Sequence, residues 1–171
     1  MTSCIISKHF IKFERKHDHL VVWASLFANK LPKCPNKDPT EFIFDTGAMI
    51  SMVDVKTAKK LNYSTLPIKR TVKLGGIVPG YSLTVDYKVI PGVEIAGLRL
   101  SKVTVAIPNQ NDPNAEIFER SILGQNVLEY FNYYMDTGND LIYFHTNPNP
   151  KPISEYAKCG VVFSADEVYP E

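Results

Sequence analysis

The chain of 171 residues is poor in cysteine, in charge of one sign and in long apolar runs. Three cysteines, Cys4, Cys34 and Cys159, form an odd set with no metal-ligand spacing. That argues against a disulfide framework and reads as free thiols in a reducing compartment. The formal net charge is +1, so the composition gives no basic surface for nucleic acid or lipid headgroups. The longest apolar run, Leu20 to Ala28, is too short to span a bilayer. The N-terminus, MTSCIISKHFIKFERK, lacks the apolar core of a signal peptide. Together these point to a cytoplasmic protein with neither a nucleic-acid nor a membrane partner. The histidines His9, His17, His19 and His145 are scattered. The HDH stretch at 17–19 is read as a solvated turn, with metal binding as its alternative, and neither a metal nor another cofactor is expected.

What is present is ordinary globular material, 44% hydrophobic and 22% charged, at a length that suits one domain. CIISKHFIKF and HLVVWASLFA read as strands around HDH. NKLPKCPNKDPT reads as a proline-marked loop, and EFIFDTG as the next strand. Asp54 is placed to cap a helix through VKTAKKLNY, and Lys59-Lys60 to lie on its solvated face. TVKLGGIVPGYSLTV is a glycine-rich hairpin. LTVDYKVI and LRLSKVTVAI follow as strands, and PNQNDPN as a loop. ILGQNVLEYFN passes from a short strand into a second helix. YYMDTGNDLIYF is a final hairpin, and the aromatics of EYFNYYM pack in core and hairpin. NPNPKP reads as a stiff linker, and CGVVFS as one weak strand in the tail. The expectation is a mainly β chain with one or two short helices, folded as a barrel or sandwich. The domain is assigned to residues 1–146, with N-terminal strands in 1–30 and the core in 40–146. Residues 147–171 are assigned to linker and tail.

The tripeptide Asp-Thr-Gly occurs twice, at Asp45-Thr46-Gly47 and at Asp136-Thr137-Gly138. An aspartate that ends an apolar strand can present its carboxylate in a cleft. The glycine after it leaves room beside the carboxylate. Two such carboxylates about 3 Å apart share one proton, so one acts as base toward water and the other as acid toward a carbonyl. That chemistry hydrolyses a peptide bond without a metal. It needs two aspartates. Around Asp136 the T-G-N-D stretch has turn composition, so Asp136 is read as a hairpin residue.

The stretch FIFDTGAMIS resembles the active-site loop of retropepsin-like aspartic proteases of clan AA, whose pattern is two apolar residues, then D-[TS]-G-A-x-x-S. Their second signature, an apolar pair and then Leu-Gly opening a short helix, is matched by Ile122, Leu123 and Gly124. LGGIVPG, between them, fits the flap. The resemblance covers roughly residues 20 to 145, with both signatures in the right order.

The resemblance implies a single closed β-barrel lobe with a flap hairpin, and an endopeptidase active as a homodimer. Each chain then gives one catalytic Asp45, supported by Thr46, Gly47, Ala48 and Ser51. Ser51 either bonds within this loop or satisfies a turn. Gly75, Gly76, Ile77 and Gly80 form the flap, or else serve as turn residues. Ile122, Leu123 and Gly124 pack under the site, and an extended peptide or protein is the substrate. Ala48 stands where pepsin-type sites have a serine that favours the charged carboxylate, so activity is expected at mildly acidic to neutral pH. The retroviral Asp/Arg ion pair that supports the dimer is absent, because its positions are Met49 and Gln125. The alternative is a catalytically silent binding or dimerisation module on the same fold.

Overall fold

The computed structural model describes residues 8–28, 37–78, 80–147 and 149, with backbone alone at 37 and 76–78. The three cysteines, Pro79, and the expected NPNPKP linker and CGVVFS strand lie, in whole or in part, outside the described residues. The expected boundary between domain and tail therefore falls where the description ends.

Nine strands and two short helices follow in order. They are β1 (Phe10–Lys16), β2 (His19–Phe27), β3 (Lys37–Phe44), α1 (Val55–Lys60), β4 (Arg70–Val78), β5 (Tyr81–Ile95), β6 (Leu98–Pro108), β7 (Ser121–Leu123), α2 (Gln125–Leu128), β8 (Phe131–Asp136) and β9 (Leu141–Thr146). Short 3-10 turns sit at Tyr63–Thr65 and Ala115–Ile117. His17 and Asp18 join β1 to β2 with φ of 48° and 63°. Positive φ at both central residues is the habit of a two-residue turn that matches strand twist. Lys16 then pairs with His19 across the turn. HDH is the expected turn.

β3 begins at Lys37, inside the segment expected as a loop. Pro39 is tolerated there because β7 pairs only with Phe42, Ile43 and Phe44, leaving the proline end of β3 an open edge on that side. The Asp54 cap forms as expected, its Oδ1 accepting Thr57 N–H at 2.9 Å. The helix is shorter than its pattern and stops at Lys60, with Asn62 left-handed at φ 60°.

The mainly β expectation holds, but the strand ladders of the described residues do not close into a barrel. The path runs β4-β5-β2-β1-β9-β8, with β3, β6 and β7 as branches. One edge of β2 is shared: residues 19–22 pair with β1, while Ser25 and Leu26 pair with β5. The β1-β9-β8 arm therefore splays away instead of completing a ring. Between β6 and β7 the link is Met52 alone, bridging Ala106 and Ile122.

Two apolar clusters form the core. The larger joins Phe42, Phe44 and Leu123 to Val127, Leu128 and Phe144. The smaller, with Ile50, Met52, Leu83, Val85 and Tyr87, lies next to the loop after β3. Full burial of such a side chain contributes roughly 1.5–3 kcal/mol, so both clusters hold the loop between them firmly. No described helix is long and apolar enough to cross a membrane.

Candidate functional site

β3 ends at Phe44 because the next residues turn. Asp45 donates its backbone N–H to the Leu123 carbonyl at 3.1 Å, the last bond of the parallel β3–β7 pairing. The chain then loops out and returns at Met52, which exchanges backbone bonds of 2.8 Å with Ile122. β7 thus lies between β3 and the returning chain. The Asp45 loop is anchored at both ends to one short strand.

Asp45 Oδ1 accepts Gly47 N–H at 2.8 Å and Ala48 N–H at 3.2 Å. These fix the carboxylate plane. Oδ2 accepts no hydrogen bond from the described residues. Asp45 is half-buried, Thr46 and Gly47 are exposed, and Ala48 is half-buried. A Cβ at Gly47 would sit 3.2 Å from Asp45 Oδ1, so glycine spares the carboxylate a close neighbour.

Gly124 is demanded by space. A Cβ there would meet the Ile50 carbonyl carbon and oxygen at 2.8 Å and the Ala48 carbonyl oxygen at 2.9 Å. All three are backbone atoms, so nothing there moves cheaply. That close approach brings Gln125 N–H to the Ala48 carbonyl at 2.8 Å and Asn126 N–H to that of Met49 at 3.2 Å. Ser51 is buried at 2% exposure and does more than satisfy a turn. Its Oγ accepts Gly124 N–H at 2.9 Å and donates to Asn126 Oδ1 at 2.8 Å. Asn126 Oδ1 also accepts Ser51 N–H at 2.6 Å, and its Nδ2 donates to the Thr104 carbonyl at 2.7 Å. Gln125 Nε2 donates to the Thr46 carbonyl at 2.6 Å, within the same chain.

Asp45 opens on a cleft of about 610 Å³, lined also by Ile43, Ile50, Leu74, Gly75 and Phe118. Leu74 and Gly75 come from the β4–β5 hairpin, whose register shifts between Gly75 and Val78 and whose Gly80 has φ of 81°. Gly76 and Ile77 continue β4 in that hairpin. The expected residues Asp45, Gly47, Ala48, Gly75 and Ile122 therefore meet at one cleft, with Ser51, Leu123 and Gly124 behind it. Asp136 is elsewhere, in the β8–β9 turn. Its Oδ1 accepts Gly138 and Asn139 N–H, and its Oδ2 accepts Asn139 Nδ2 at 2.8 Å. The Asn139 side chain above all, and then the two backbone donors, hold its carboxyl below the usual range against the opposing effect of desolvation.

Nothing in the sequence signalled His19, Tyr87 or Phe118 as cleft residues, since each arrives from a distant segment. Asn126 was signalled only as a neighbour of Leu-Gly, yet its side chain ties Ser51 to the Thr104 carbonyl. Burial raises the Tyr87 hydroxyl pKa, with Arg70 acting weakly the other way. Among the described residues no three His, Cys, Asp or Glu side chains gather as a metal site.

Comparison with curated proteins finds no match. A solved structure described as a retropepsin-like aspartic protease from Rickettsia conorii superposes with a TM-score of 0.51 at 22% identity, covering 79% of this chain and 87% of that one. At that identity the likeness speaks for the fold. The family described as aspartyl protease matches residues 33–127, which span the Asp45 loop, the β4–β5 hairpin and the Leu-Gly turn. With more than half of its length matched and its two signatures joined behind one cleft, the chain belongs to the aspartyl protease family and has the retropepsin-like fold.

Proposed function

We propose that the protein is an aspartic endopeptidase active as a homodimer, with Asp45 of each chain as its catalytic carboxylate. The observation that carries this is the asymmetry of Asp45: Oδ1 is fixed by two backbone donors, while Oδ2 takes no hydrogen bond among the described residues. One such loop supplies half of the chemistry. Thr46 and Gly47 are exposed beside Asp45, which supports a second copy seated against them around a twofold axis.

In that arrangement the two carboxylates share one proton. The ionised one takes a proton from the water between them as the oxygen attacks the peptide carbonyl. The protonated one gives its proton to the carbonyl oxygen. Collapse of the tetrahedral species passes a proton to the leaving amine and breaks the C–N bond. Substrate lies extended as an added strand, under a β4–β5 hairpin that acts as the flap through Gly75, Gly76, Ile77 and Gly80. Gln125, uncharged and bonded to Thr46 of its own chain, has no part in an intersubunit ion pair.

The test is cleavage of an unfolded protein mixture by wild type and D45N across pH 4 to 8, read by mass spectrometry. Cleavage by wild type alone, rising with the square of protein concentration when dimer is scarce, is expected. Equal cleavage by both proteins would sink the reading. The same digest extended to pH 2 tests the expected mildly acidic to neutral range, which a rate maximum below about pH 3, the acid range of pepsin-type dyads, would overturn.

A further inference from the structure

The β2–β3 register pairs Val21 with Ile43. Two residues back along β2 and two residues on from Ile43, the same antiparallel alignment carried past the last pair sets His19 across from Asp45, and both line the same cleft. His19 is exposed. Its imidazole makes no hydrogen bond or ion pair with the described residues. Apart from Asp45 the cleft is walled mainly by apolar side chains, among them Ile43, Met49, Ile50, Leu74 and Phe118. Among the described lining residues, His19 is the one side chain that can become positive.

We propose that His19 is a specificity-determining residue that binds a carboxylate on the substrate, so that the cleft takes apolar peptides carrying one acidic side chain. This rests on the peptidase reading above. Its chemistry is complementary. A dyad with one proton leaves the cleft floor negative and repels an acidic peptide, unless a cation stands at the rim. An imidazole among apolar walls gains more from a charge partner than it would in open water.

The groups facing His19 leave it available. Across the hairpin is Lys16, whose ammonium lies 2.7 Å from Glu41 and 3.1 Å from Glu14, so its charge is taken up by those carboxylates and the trio keeps a net negative charge. His17 and Asp18 precede it in the exposed turn. From β3 the facing group is Asp45.

The experiment has two arms. In the first, wild type and H19Q digest a pool of proteome-derived peptides at pH 5.5. Wild type is expected to enrich Asp or Glu several-fold at one subsite. H19Q keeps cleaving at apolar sites without that enrichment. Acidic enrichment that survives in H19Q, or is absent from cleaving wild type, overturns the proposal.

The second arm needs no turnover. Immobilised D45N and the D45N/H19Q double variant are offered a synthetic pool of octapeptides, otherwise identical, with Glu or Gln at each position in turn. Several-fold tighter retention of a Glu peptide by D45N alone is expected. In parallel, the His19 ring signal of D45N should shift on binding the Glu peptide and stay unmoved with the Gln peptide. Equal retention of Glu and Gln peptides overturns the proposal. Wild type that never cleaves defeats the peptidase reading instead, and this arm still decides the role of His19.

Discussion

The two Asp-Thr-Gly tripeptides adopt the same local turn and differ in everything around it. In each, the aspartate Oδ1 accepts the N–H groups two and three residues on. That is what Asp followed by Thr-Gly does by itself, through a side chain short enough to close onto its own backbone. The differences come from distant partners. At Asp136 the second carboxylate oxygen is taken by Asn139, and the turn lies in the open on the β8–β9 hairpin. At Asp45 the second oxygen is left open, the loop is clamped by Leu123, Gly124 and Ser51, and an apolar cleft lies in front. A motif identical in its residues becomes a candidate site only where another part of the chain supplies the floor.

The largest effect tests that contrast directly. D45N should lower cleavage by roughly 10³-fold, within the range for loss of an acid–base group, while D136N should leave the rate nearly unchanged. Peptide turnover by both variants, each with an unchanged thermal midpoint, checks it. A large loss in D136N would break the comparison.

The next effect concerns the floor. G124A pushes a Cβ into Ile50 and Ala48 backbone at 2.8–2.9 Å, whereas G138A meets Asp136 Oδ1 at an ordinary 3.5 Å. G124A should destabilise by about 1–3 kcal/mol, in the range of overpacking, and G138A should stay within about 0.5 kcal/mol. Urea denaturation of both variants gives the two values.

A third carboxylate sharpens the picture by being neither exposed nor served. Glu129, between α2 and β8, is 8% exposed, and neither carboxylate oxygen has a partner among the described residues. Burial raises its pKa from 4.5 to about 7. The folded state therefore holds a proton that the unfolded chain releases first. Stability is greatest below pH 4.5 as far as this group is concerned, and it falls as pH rises through that window to about 7. The fall should be on the order of 2 kcal/mol, and E129Q should remove it. Denaturation midpoints at pH 5 and pH 8, wild type against variant, measure this.

The smallest effect is at the exposed loop. N139A removes the main cause of the depressed Asp136 pKa, so the carboxyl should titrate closer to its ordinary value. The depressed pKa gives stability that is present above the unfolded pKa and is lost as pH falls through the folded one. N139A shrinks that contribution at this exposed turn. Carbon-detected titration of the Asp136 carboxyl reads the change, and an unmoved midpoint would deny Asn139 its role.

Several elements were legible from residues alone. The HDH turn, the Asp54 cap, the Asp136 hairpin and the pairing of a DTG loop with a Leu-Gly turn all formed, because each rests on contacts within a few residues or on a motif carrying its own geometry. The Pro39 strand was missed, since an open edge is a property of neighbours rather than of proline. The closed barrel was expected from the family likeness, and the described strands do not close, because two strands compete for one edge of β2.

The sequence by itself determined that Asp45 would end an apolar strand in a tight carboxylate-capped loop, since short-range hydrogen bonding and the alternation of Phe42, Ile43 and Phe44 require nothing remote. Only the tertiary structure decided which of two identical loops received a floor, a facing hairpin and a histidine across the sheet. Those come from Gly124, Gly75 and His19, tens of residues away in the chain, and contacts of that range are set by how the sheet packs.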